Sequence, residues 1–279
     1  MKTSYCFLSN STFHIALLSL MTRSTMNIII ATSRGGGLES RLRNPTYPTR
    51  VYVEPGWTLE SLAELAISHL PRLSKSDEKT HVYFFAGYCD ITQRLKSKHP
   101  KYDEITYTED PEITMARISN IIHSVDRRIK NAGAIPIFST IVPAKLRKWN
   151  LHRLNKNFTT TLCHISDYPS MQSKLHTAID LINNEITNVN SRNSMSTPYL
   201  HSQIKRQVGS KENSKIKYYY NHLHDGVHAD ARTKDKWGKS LLRVIGYNRV
   251  KTPQPDITES PKRSWKQETN PKAITSNHP

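Results

Sequence analysis

Asn27-Ile28-Ile29-Ile30-Ala31-Thr32-Ser33-Arg34 is the stretch on which the fold turns. The run from Asn27 to Ala31 is apolar and β-branched, too short for a helix, and bounded by polar residues, so it reads as a strand buried on both faces, as parallel strands are. Ser33 falls just beyond its carboxyl end, where open α/β sheets place their reactive groups.

Working outward, strand-like and helical runs alternate. Val51-Tyr52-Val53-Glu54-Pro55 ends at Gly56, and residues 58–70 place Leu59, Leu62, Leu65, Ala66 and Leu70 on one helical face before Pro71. His81-Val82-Tyr83-Phe84-Phe85-Ala86 is a third strand, ending in Gly87-Tyr88-Cys89-Asp90. Residues 112–130 carry a stripe of Ile113, Ala116, Ile118, Ile121, Ile122, Val125 and Ile129, closed by Asn131-Ala132-Gly133, and residues 134–142 form a fourth strand. Helices are expected again over 171–189 and 234–247, with a last edge strand at Thr197-Pro198-Tyr199-Leu200. This rhythm predicts a three-layer α/β/α domain with a parallel, flavodoxin-like sheet over residues 27–248. Residues 143–170 read as a basic insertion or loop, residues 1–26 as an extension, and residues 249–279 as a disordered tail without apolar periodicity.

Far along the chain, Asp225-Gly226-Val227-His228 supplies chemistry complementary to Ser33. A histidine can take the proton of a serine hydroxyl, and a carboxylate on the same turn can fix the imidazole tautomer and stabilise the imidazolium.

The order of these blocks resembles the SGNH (GDSL-like) hydrolase family, whose four blocks carry serine, glycine, asparagine and histidine in turn. Ala31-Thr32-Ser33 is similar to the Gly-Asp-Ser block, Gly56 matches the glycine block, Gly87-Tyr88-Cys89-Asp90 resembles the Gly-x-Asn-Asp block, and Asp225 and His228 match Asp-x-x-His in full. Proteins of similar look, with an altered asparagine block, occur among the products of invertebrate genomes and their mobile elements. The resemblance implies a cofactor-free esterase or acyl hydrolase: Ser33 as nucleophile, His228 as base, Asp225 orienting it, and an oxyanion hole from the N–H groups of Ser33 and Gly56. Cys89 stands where the family has the third donor, and a thiol is a feeble one. Losing one such donor typically costs about 10²–10³ in rate. Arg34 and Thr92 are the neighbours that could substitute. A small-molecule ester is the implied substrate.

Composition bounds this reading. The chain has 279 residues and a formal charge of +17. Its three cysteines, Cys6, Cys89 and Cys163, lack metal-ligand spacing and argue against a disulfide framework. No run reaches the roughly 18 apolar residues of a membrane span. The segment Phe13-His14-Ile15-Ala16-Leu17-Leu18-Ser19-Leu20-Met21 is interrupted by His14 and lacks a small-x-small cleavage site, so an intracellular location is expected over secretion, with Met21 or Met26 as alternative starts. The basic cluster of Lys145, Arg147, Lys148 and Arg153, interleaved with Trp149, is the kind of surface that binds nucleic acid or another polyanion. A catalytically inactive, nucleic-acid-binding accessory protein on the same fold is the alternative function, and a solvated basic face the plainer account of the charge.

Three rival sites deserve mention. Gly35-Gly36-Gly37 with Ser40 approximates a dinucleotide loop, with Glu54 at the end of the next strand for a ribose. His222, His224, Asp225 and His228 crowd one segment, as zinc ligands do, but no distant Cys or His pair completes the set, and no metal is expected. Cys89 could pair with His228 as a nucleophile, although a buried structural thiol explains it as well.

Overall fold

The computed structural model describes residues 25–44, 46–73, 79–96, 103–156, 167–209 and 215–251. The expected extension up to residue 24 and the tail beyond 251 lie outside the described residues. Four parallel strands form the sheet, in the order β2-β1-β3-β6: β1 (Thr25–Ala31), β2 (Thr49–Val53), β3 (Lys79–Phe85) and β6 (Ala134–Phe138). This is the first part of the flavodoxin-like order.

Alternate residues of each strand face opposite layers. Ile28 and Ile30 of β1, with Val82 and Phe84 of β3, pack beneath α1 (Leu59–Leu73), α3 (Pro111–Asn131) and α5 (Tyr168–Arg192). Ile29, Ala31, Tyr83 and Phe85 face the other way, against Leu38, Leu200 and the Trp237, Leu241 and Ile245 face of α6 (Ala231–Lys251). Burial on both faces is why β1 reads as an uninterrupted apolar run. On α3 the core stripe is Ile118, Ile122, Val125 and Ile129; Ile113, expected within it, is 61% exposed.

Two expectations are corrected. Residues 197–200 form no strand: Pro198 has no N–H to give to a ladder, and its carbonyl instead accepts from the Thr140 N–H (3.1 Å). The open side of β6 is satisfied by side chains of α5. The Asn190 amide accepts from the Phe138 N–H at 2.9 Å and donates to its carbonyl at 2.7 Å, and Asn183 treats Ile141 in the same way. The second correction concerns the stretch read as a loop at 143–170, which contains α4 (Leu146–Lys156). Its inward residues are Leu146 and a polar one, Asn150, both fully buried, so there is no apolar stripe to read. Asn150 accepts from the Ile105 N–H and donates to the Ile105 carbonyl, each at 2.9 Å, which pins α4 to β5 (Asp103–Thr106). The strand β5 pairs antiparallel with β4 (Gln93–Lys96), just after the single turn α2 (Tyr88–Ile91), and β7 (Lys205–Val208) pairs with β8 (Lys215–Tyr218).

Candidate active site

Ser33 opens a 3-10 turn, Ser33–Gly35, two residues past Ala31, the buried end of β1. The strand end is held from both sides, since the Thr32 N–H donates to the Phe85 carbonyl (3.2 Å) and the Glu54 N–H to that of Ala31 (2.8 Å). The turn folds so sharply that a Cβ on Gly35 would lie 2.3 Å from the Ala31 Cβ. This corrects the dinucleotide reading: Gly35 is packed down on the core, and only the short 3-10 turn Glu39–Arg41 follows, so no helix amino terminus is presented to a pyrophosphate.

Asp225 and His228 sit on the turn before α6. The Oδ1 of Asp225 accepts from the backbone N–H groups of Val227 (2.9 Å) and His228 (2.7 Å), and its Oδ2 lies 2.6 Å from His228 Nδ1. The opposite ring nitrogen, Nε2, lies 3.0 Å from Ser33 Oγ. Burial by itself would raise the Asp225 carboxyl, but the hydrogen bonds from the His228 ring and from the N–H groups of His228 and Val227 together hold it well below the usual carboxylate range. An ionised carboxylate only accepts, so the proton of a neutral His228 sits on Nδ1 and Nε2 is left to accept from the Ser33 hydroxyl.

The remaining expected site residues border the same cleft, of about 590 Å³. Gly56 lies on its rim with φ +80°. Cys89, in the first turn of α2 after Gly87 (φ +102°), also lines it. Burial, reinforced by Asp90, pushes the Cys89 thiol up, the wrong direction for a thiolate nucleophile. Arg34, the neighbour that could stand in for the missing amide donor, is buried, which the sequence pattern does not signal. It is 3% exposed, donates through Nη1 to the Val142 carbonyl and stacks over the Tyr88 ring at 4.1 Å, while its Nε and Nη2 have no partner.

The basic cluster is placed around α4. Lys148 donates to the Leu223 carbonyl (2.6 Å) and Lys145 lies over the Tyr220 ring (5.8 Å), so these two hold neighbouring segments together. Arg153 lies beside Trp149, whose ring is 5.3 Å from that of His228, and Arg147 lines an outer recess with Leu151 and His152. Of the crowded histidines, His224 has its Nε2 3.6 Å from Asp225 Oδ2, and the ligand atoms of His224, Asp225 and His228 lie within 4.8 Å of one another. His222 is not in that group. The Asp225 oxygens are already committed to three N–H groups of their own turn. Among the described residues, no helix is long and apolar enough to cross a membrane.

No family model matches the chain, and no curated protein does. Among solved structures it is similar to a GDSL-like lipase from Bacteroides thetaiotaomicron, at 13% identity and a TM-score of 0.48, over 85% of this chain and 98% of that one. It is similar also to the lipase/acylhydrolase from Enterococcus faecalis, at 12% identity and a TM-score of 0.44, over 80% and 96%. By its own topology the chain has a three-layer α/β/α fold with a parallel sheet in flavodoxin-like order, the architecture that the SGNH resemblance implies.

Proposed function

We propose that the protein is an SGNH-type serine hydrolase that transfers an acyl group from an ester to water. The observation that carries this reading is the hydrogen-bonded series from Ser33 Oγ through His228 to Asp225, at 3.0 and 2.6 Å, at the carboxyl edge of a parallel sheet. Ser33 attacks the carbonyl carbon as His228 Nε2 takes its proton. The imidazolium formed is stabilised by Asp225, which is already ionised, and returns the proton to the departing alkoxide. Water then repeats the sequence and releases the acid. The N–H groups of Ser33 and Gly56 supply the oxyanion hole, and Cys89 leaves it one strong donor short. No cofactor takes part in these steps.

The test is labelling by a fluorophosphonate together with hydrolysis of short acyl esters. Stoichiometric labelling that disappears in Ser33→Ala is expected. Labelling that persists in that variant, or none in the wild type, would sink the proposal.

A further inference from the structure

We infer that the ester turned over here carries a negative charge, as a carboxylate or phosphate, close to the scissile bond; this rests on the hydrolase reading above. Three arginines border the cleft beside Ser33, Arg34, Arg94 and Arg153, and none of the described residues lining it is acidic. Among the described residues none of the three arginines forms an ion pair, whereas Arg41, Arg117, Arg128 and Arg192 each do.

Position argues against a merely solubilising role. Arg34 is chain neighbour to the proposed nucleophile and buried, so its charge does nothing for solubility. Holding a cation out of water is costly and burial lowers its pKa, and the field of nearby groups, Asp225 among them, opposes this only in part. Its free Nε and Nη2 are covered, so it acts on the cleft through its field rather than by touching a ligand. Contact falls to the other two. Arg94 reaches over Gly56, with its Nη2 3.3 Å from where a Cβ on that glycine would be. Arg153 lines the same cleft, its Cζ 5.7 Å from the Trp149 ring that packs against His228. An anionic substituent next to the ester would meet both heads, and would add to the partial compensation of the buried Arg34 charge. A neutral ester would use none of this.

The experiment compares kcat/KM for matched esters that differ in charge alone. 4-Nitrophenyl hemiadipate is set against its methyl ester, and the phosphate-terminated ester of the same length against its dimethyl form. The anionic member is expected to be preferred about tenfold at low ionic strength, with the preference shrinking as salt is added. The pair with the larger preference names the group. In Arg94→Gln and Arg153→Gln the ratio of anionic to neutral ester falls several-fold, and Arg153→Glu carries it below one. Because the ratio is taken within each variant, it is insensitive to a general loss of folded or active protein. Equal rates for charged and neutral esters, with the neutral ester hydrolysed by Ser33, would overturn this inference and leave the hydrolase reading standing. Absence of all hydrolysis and of Ser33 labelling removes both.

Discussion

The N–H of Lys145 donates to the carbonyl of Gly226 at 2.8 Å, and Gly226 lies so close to the first turn of α4 that a Cβ there would stand 2.8 Å from the Lys145 carbonyl oxygen and 3.0 Å from the Trp149 nitrogen. The turn that carries Asp225 and His228 is thus docked, backbone against backbone, on a helix from the stretch that reads as a loop. Its left-handed conformation, φ +91°, is one that only glycine adopts without strain.

Gly226→Ala should therefore act on both stability and chemistry. Left-handed φ costs a side-chain-bearing residue about 1–2 kcal/mol, and the contacts with Lys145 and Trp149 add to it. A lower denaturation midpoint and a lower kcat in the remaining folded protein are expected. Unchanged kcat would mean that His228 is positioned independently of α4.

On the proposed mechanism, removing the Asp225 carboxylate should be severely damaging to turnover. Asp225→Asn keeps the shape of the turn but offers an amide where His228 Nδ1 needs an acceptor, which favours the wrong tautomer; a fall in kcat of about 10⁴ is expected, the loss seen in other serine triads. Ester hydrolysis by the purified variant checks this, with circular dichroism to show that the fold is retained.

Cys89 offers a gain-of-function test. If it stands where an amide donor would complete the oxyanion hole, Cys89→Asn should raise kcat by about 10–10³. Cys89→Ala should change it little, since burial disfavours the thiolate and the thiol is a weak donor. A collapse of activity in Cys89→Ala would instead make the sulfur the working group.

Asp90 gives a pH signature in stability. Its carboxylate accepts the Leu59 N–H at the start of α1, at 3.0 and 3.1 Å, and burial pushes its pKa up to about 6, the Leu59 bond and Arg117 opposing only in part. Because the folded value lies above the unfolded one, the folded state holds this proton more tightly. The contribution is present below about pH 4 and is lost as pH rises through 6, by roughly 3 kcal/mol at most. Asp90→Asn keeps the acceptor and removes the charge, so its melting temperature should lack this decline between pH 4 and 6. Parallel curves for wild type and variant would contradict the assignment.

Sequence alone determined the layered architecture, because strands buried on both faces leave short uninterrupted apolar runs, as at Ile28–Ile30, and helices buried on one face leave a 3.6-residue stripe, as at Ile118, Ile122, Val125 and Ile129. It also marked the Asp225 and His228 turn, since local hydrogen bonding within three residues needs nothing from the rest of the chain. Only the tertiary structure decided the rest. The 3.0 Å between Ser33 and His228 spans 195 residues. The helix α4 is held by amide-to-backbone bonds from Asn150 rather than by an apolar stripe, and Arg34 is a charge whose burial no composition reveals. Such pairings arise where segments remote in sequence meet across the sheet, and their geometry is fixed by packing rather than by the period of any one segment.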